Sequence, residues 1–128
     1  MQKTLIKDEL ATLRTLKRAR RLIARPENWC QGPAAVDADG YSVDATSERA
    51  CAFCTVGSVR HVAGYSKADQ LAYEALSQTT MRMKHPDMPG AYNDKPGRQH
   101  GEVLRVFDRT IRTVERRIKR MRARRARG

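Results

Sequence analysis

The apolar positions Ile6, Leu10, Leu13, Leu16 and Ile23 recur at helical spacing with one irregular step, which predicts a helix over residues 3–24. Arg25 and Pro26 end it, because the residue before a proline is pushed out of the α region. Residues 26–46 lose the helical period and are punctuated by Pro26, Gly32, Pro33 and Gly40. Within them, Ala35-Val36 and Tyr41-Ser42-Val43 flank Asp37-Ala38-Asp39-Gly40, the pattern of a short β-hairpin or an ordered loop. A second helix is expected to start at Thr46 or Ser47 as N-cap, to span SERACAFCTVGSVRHVAG and to stop at Gly64. Its inward positions Ala50, Cys54, Gly57, Val59 and His61 are mostly small and would admit a close neighbour. A third helix follows Ser66, with Asp69 completing the cap, and its stripe of Leu71, Ala72, Ala75 and Leu76 runs toward a stop at His85-Pro86. Residues 85–98 hold three Pro and two Gly and read as a loop. A last helix begins between Pro96 and Gln99, with Leu104, Phe107, Ile111, Val114, Ile118 and Met121 at heptad-like steps of 3 and 4. The predicted fold is all-α, about four helices with a long ordered loop and a possible short hairpin, forming one domain over residues 1–128.

Length supports that reading: 128 residues build one modest core. Aromatics are only 5% of the chain, so Leu, Ile, Val, Ala and Met must fill it. No run of 18 apolar residues is present, and the charged N-terminus lacks the apolar region of a signal peptide, so neither a membrane span nor secretion is expected. An odd count of three Cys fits a reducing cytoplasm rather than a disulfide scaffold.

Charge changes the picture more. The net charge is +12, and it is segregated. Residues 1–25 carry eight Lys/Arg against two acids, residues 105–128 eleven against two, and residues 26–104 seven against ten. Two basic ends, an N-terminal helix over 1–25 and a C-terminal extension over 113–128, thus flank a mildly acidic middle. Such segregation favours an anionic partner, with nucleic acid the commonest. The cations expected to meet it are Arg14, Lys17, Arg18 and Arg21 on the first helix. On the last they are Arg109, Arg112, Arg116, Arg117, Lys119, Arg120 and Arg122. Arg outnumbers Lys, and its planar fork grips phosphate in a bidentate manner. No aromatic residues interleave with these arginines at the C-terminal end, so stacking on single-stranded bases is not expected there.

Three other chemistries have partial signatures in the chain. Cys51 and Cys54 form a C-x2-C pair that Cys30 and His61 could complete as zinc ligands, but no second pair follows, and small buried thiols explain the residues more simply. A thiol nucleophile at Cys30 or Cys54, with His61 or His100 as base, lacks the cation or helix N-terminus that makes a thiolate, since the predicted helix puts Cys54 two turns in. Asp37-Ala38-Asp39-Gly40 resembles part of a calcium loop, but the positions of the first and twelfth ligands would be Ala35 and Thr46, so a turn is the sufficient reading.

Four stretches together resemble a family of small uncharacterised proteins of bacteria and their phages. They are Trp29-Cys30-Gln31-Gly32, Asp39-Gly40, Cys54-Thr55-Val56-Gly57, and Tyr92-Asn93-Asp94-Lys95-Pro96-Gly97-Arg98 with Glu102-Val103-Leu104. The resemblance covers roughly residues 20–112 and implies a small, mostly helical intracellular domain of unknown activity. It leaves Cys51 and the Arg-rich end beyond Ile111 outside the pattern. Read physically, Asp94 is expected to cap the last helix, Arg98 to reach Asp39 or Asp44, and Trp29 to plug the core with Cys30 beneath it. A pocket lined by Trp29, Cys30, Gln31, Asn93, Asp94 and Arg98 is the alternative use of the same residues. The functional expectation is therefore non-enzymatic binding of nucleic acid or another polyanion, with no cofactor. A protein partner or a second copy docked along the seam over 104–121 is the alternative.

Overall fold

A computed structural model describes residues 5–128. Helix α1 (Ile6–Leu22) threads the middle of the domain. Asp8 and Glu9 lie in its first turn and Arg20 and Arg21 in its last, the distribution that the helix dipole favours. The start predicted at Lys3 falls outside the described residues. The helix stops before Pro26 is reached, at Ile23. There the backbone turns, the Ile23 side chain is buried, and its carbonyl lies 2.7 Å from His100 Nε2. Because α1 touches α2, α3 and α5, its buried face includes Thr12, Thr15 and Ala19 beside Leu16, residues small enough for three neighbours to close in.

A 3-10 turn at Pro26–Asn28 leads into an antiparallel sheet of three short strands, β1 (Ala35–Val36), β2 (Ser42–Val43) and β3 (Ala52–Phe53), in the order β2-β1-β3. Ala35 pairs with Val43 on one side and with Phe53 on the other. The expected hairpin is present, and its turn is held by Asp37, whose Oδ1 accepts from the backbone N–H of Asp39 and of Tyr41 at 2.9 Å each.

The third strand corrects the second helix, which begins not at Thr46 or Ser47 but at Thr55. Asp44 Oδ1 accepts from Thr46 N at 2.9 Å and Ser47 Oγ from Arg49 N at 3.1 Å, so these side chains shape turns rather than cap a helix. Helix α2 (Thr55–Ala63) takes Cys54 as its N-cap, with Sγ accepting from Gly57 N at 3.3 Å, and ends at Gly64 as expected, φ +68°. Gly57 is small for a reason other than helix packing. A Cβ there would stand 1.8 Å from the carbonyl oxygen of Ala34, so only glycine lets α2 approach the backbone that enters β1.

Helix α3 (Lys67–Met81) has the predicted cap, Ser66 Oγ accepting from Asp69 N. It ends before His85. The segment predicted to be loop contains one short helix, α4 (Pro89–Asp94), with Pro at its first turn. Helix α5 (His100–Arg127) is continuous through residue 113, so the basic extension prolongs a helix already begun. Asp94 does not cap it. Gln99 is the N-cap residue, and its backbone N–H donates to Glu102 Oε1 at 2.8 Å.

The core gathers Leu16, Ile23, Phe53, Val59, Leu76, Val103, Phe107 and Val114. On α5 the buried set is Val103, Val106, Phe107, Thr110, Val114 and Ile118. Leu104, Ile111 and Met121 lie at its margin. The predicted seam was therefore half correct: residues 103, 107, 110, 114 and 118 follow a straight helix, and one of them is a threonine that an apolar pattern passes over. Among the described residues, no helix is long and apolar enough to cross a membrane.

Candidate polyanion interface

Helices α1 and α5 pack side by side and are stitched by ion pairs. Arg20 Nε meets Asp108 Oδ1 at 2.6 Å, Lys17 Nζ meets Glu115 Oε2 at 3.4 Å, and Arg117 Nε meets Glu9 Oε1 at 3.2 Å. The two acids of the C-terminal stretch are thereby spent on α1. What remains outward is almost wholly cationic. Arg14, Arg18 and Arg21 are exposed on α1, and Arg109, Arg112, Arg116, Lys119, Arg120 and Arg122 on α5. Lys17 and Arg21 also line a shallow hollow of about 250 Å³ with Arg20, Ala24 and Ile111.

The opposite flank of α5 holds the more concave site. A cleft of about 420 Å³ separates α5 from α3. Arg109, Arg112 and Arg116 reach it from α5 at positions one turn apart on the same side of the helix, with Arg117 beside them. Arg82 reaches it from the C-terminal end of α3. Gln78, Thr79, Thr110 and Thr113 supply polar lining, and among the described residues no aromatic ring or carboxylate lines it. Arg117 is committed: besides Glu9 it donates to Gln78 Oε1 at 3.3 Å. Among the described residues no carboxylate pairs with Arg82, Arg109, Arg112 or Arg116. The sequence pattern singled out the four α5 arginines but not Arg82, which no local spacing connects to them.

The residues proposed for a pocket converge elsewhere, and they fill the space rather than line it. Asn93 is fully buried at the end of α4. Its Oδ1 accepts from Trp29 Nε1 at 2.8 Å, Thr55 N at 3.0 Å and Thr55 Oγ1 at 2.8 Å. Its Nδ2 donates to the Cys30 carbonyl at 3.1 Å and to Asp94 Oδ1 at 2.9 Å. Gln31 Nε2 donates to the carbonyls of Asn93 and Lys95, and Gly32 N donates to Asp94 Oδ1 at 2.9 Å. One amide thus ties the loop after the 3-10 turn to the start of α2 and the end of α4. Trp29 is only partly buried, its ring tilted against His100 with centroids 5.7 Å apart. Arg98 reaches neither Asp39 nor Asp44. It stacks on Tyr92, 3.6 Å from the ring centroid, donates to the Tyr92 carbonyl at 2.9 Å and pairs with Glu102.

The thiols are not poised for chemistry. Burial pushes the Cys30 thiol up to about 11, helped by the nearby Cys54 and Asp94 charges. Burial likewise raises Cys54, despite its place at a helix N-terminus. Both are protonated at neutral pH. The zinc set is not assembled either. Among the described residues no three His, Cys, Asp or Glu side chains gather as a metal requires. Cys51 is exposed, with Sγ directed at the Arg49 carbonyl, and His61 Nδ1 lies 2.7 Å from the Ala45 carbonyl. With Ala52 and Phe53 drawn into a strand, Cys51 and Cys54 do not share the helix face on which joint ligation rested.

Neither a curated protein nor a solved structure matches the chain. A family model does, over residues 8–113, a span that takes in most of α1, the sheet, the Asn93 junction and α5 as far as Thr113. It begins earlier than the resemblance seen in the sequence, and it includes Arg82, Arg109 and Arg112 while leaving Arg116 and all that follows outside. The chain belongs to the family of unknown function DUF6197.

Proposed function

We propose that this chain is a small accessory protein of bacteria or their phages that binds nucleic acid in the cytoplasm through the basic surface of α1 and α5, without catalysing a reaction. The observation that carries the reading is the division of labour among the charges. Asp108, Glu115 and Glu9 neutralise Arg20, Lys17 and Arg117 across the helix pair, while Arg109, Arg112, Arg116 and Arg120 stand outward. Cations left without partners on one face of a long helix lower their energy by meeting phosphates and releasing counterions. The exposed Tyr41 and Tyr65 belong to the hairpin turn and to the α2–α3 connection rather than to α1 or α5, so the basic helices themselves present no exposed ring for base stacking. This favours contact with the backbone of a duplex. The docking alternative has less support, because Phe107, Val114 and Ile118 of the seam are already buried in this chain.

The test is a salt titration of duplex binding. With roughly six phosphate contacts, log K should fall with log salt at a slope of about −5. Replacing Arg112, Arg116 and Arg120 together by Glu should abolish retention at moderate salt while leaving the thermal midpoint in place. Arg117 is kept in that variant because it anchors Glu9. Salt-independent binding, or a triple variant that binds as well as the parent, overturns the reading.

A further inference from the structure

The geometry points to the cleft between α3 and α5 as a site for linked phosphates, with Arg82 as a phosphate ligand contributed from outside the basic termini. This deepens the nucleic-acid reading and rests on it only for the source of the phosphates.

Three features define the ligand. The first is charge: Arg82, Arg109, Arg112 and Arg116 converge on one cleft with no carboxylate among its lining residues. Like charges so gathered repel one another unless a multiply charged anion sits between them, and a single carboxylate carries too little charge to offset four guanidinium groups. The second is hydrogen-bonding geometry. The arginine forks match the oxygens of phosphate in pairs, and the Gln78 side-chain NH2 adds a donor that suits the same oxygens, whereas the Thr113 hydroxyl is spent on the Arg109 carbonyl at 3.1 Å. The third is size and lining. At about 420 Å³ the cleft has room for more than one phosphate, and the absence of an aromatic ring from its lining leaves nothing to hold a base by stacking. A run of phosphates, in a strand backbone or in a free oligophosphate, meets all three.

Arg117 sets the cleft's shape rather than its charge. Its guanidinium bridges Glu9 of α1 and Gln78 of α3, holding α5 at a fixed distance from both helices. Arg82 is different. It follows the last turn of α3, is exposed, and has no carboxylate partner among the described residues. It lines the cleft together with Arg109 and Arg116, so a phosphate bound there is gripped from two helices at once.

The experiment is calorimetric titration of the full chain with inorganic tripolyphosphate, in parallel with binding of a short duplex DNA and a duplex RNA, on the parent and on Arg82→Ala, Arg82→Lys and Arg109→Ala. Tripolyphosphate should bind once per chain and displace the duplex. Arg82→Ala and Arg109→Ala should each weaken both ligands about tenfold or more, the loss of one charge-assisted pair. Arg82→Lys keeps the charge but loses the fork, and should fall between parent and Arg82→Ala. Unchanged thermal midpoints show that the fold is intact. If the duplex binds but tripolyphosphate does not, or if Arg82→Ala and Arg109→Ala leave its affinity unchanged, the cleft proposal is overturned while the nucleic-acid reading stands. If tripolyphosphate binds in an Arg82-dependent manner and neither duplex binds, the cleft proposal stands with a free oligophosphate as its ligand, and the nucleic-acid reading falls. If neither ligand binds, both fall.

Discussion

The junction around Asn93 and the cleft around Arg109 are built on opposite rules. At the junction every polar group of the central amide is answered inside the chain: Oδ1 accepts three hydrogen bonds and Nδ2 donates two. At the cleft four guanidinium groups converge with no internal counter-charge among the described residues. A buried amide left unanswered would cost its desolvation, so the chain answers it. An exposed cation loses little by staying in water, so it can wait for a partner. The lesson is that distinctive sequence and available chemistry lie in different places here. The W-C-Q-G and N-D-K-P-G-R stretches hold the architecture, and the less distinctive arginines hold the capacity to bind.

The largest effect that could break this contrast is at Asn93. Asn93→Ala removes five hydrogen bonds and strands Trp29 Nε1 and the Cys30 carbonyl, so it should destabilise the fold by about 3 kcal/mol, read by urea denaturation. Whatever fraction stays folded should bind duplex as the parent does. A variant that keeps its stability and loses binding would make the junction a functional site after all.

Arg117 sharpens the contrast, because it lines the cleft yet is anchored like a junction residue. Its side chain is 30% exposed and that of Glu9 only 10%. Arg117→Ala should therefore destabilise by about 1–2 kcal/mol, chiefly by leaving Glu9 unpaired. Adding Glu9→Gln should restore much of that loss, a coupling that thermal melts of the single and double variants would measure. If the melts show no change and duplex affinity falls steeply instead, Arg117 belongs with the binding residues.

The smallest effect concerns acid. Glu102 is held below the ordinary carboxylate range by the Gln99 backbone N–H, and Asp44 by the Thr46 hydroxyl and N–H. A depressed carboxylate means that the folded chain binds fewer protons than the unfolded one. Its stabilisation is thus complete above the ordinary carboxylate range and is lost as pH falls through the depressed folded value. Both groups lie at the surface and far from the arginine cleft in role, so Asp44→Asn combined with Glu102→Gln should shallow the acid limb of the stability curve and leave binding at neutral pH unaltered. An acid limb as steep as the parent's removes these two carboxylates from the account.

Several elements were legible because their cause is local. Gly64, Ser66 and Asp69 mark a helix end and a helix start by backbone geometry and capping alone, and Asp37 with Gly40 marks a turn in the same way. The helix predicted over residues 47–54 was not a local matter. Ala52 and Phe53 have helical neighbours in the pattern, but pairing with β1 draws them into a strand, and Asp44 and Ser47 spend their caps on turns. Asp94 resembled a helix cap until Gly32 and Asn93 claimed its carboxylate. Helix α4 was hidden by the prolines and glycines around it, one of which suits a first helical turn.

The amino-acid sequence by itself determined that this is a small, mostly helical chain with its positive charge at both ends, because composition, helical period and capping act over a few residues. Only the tertiary structure decided which charges remain available. It packed α5 against both α1 and α3, where Glu9 binds Arg117, Asp108 binds Arg20 and Glu115 binds Lys17, and it brought Arg82 within the same cleft as Arg109. Those pairings join residues far apart along the chain. They follow from where packing places the helices, and no spacing along the sequence encodes that directly.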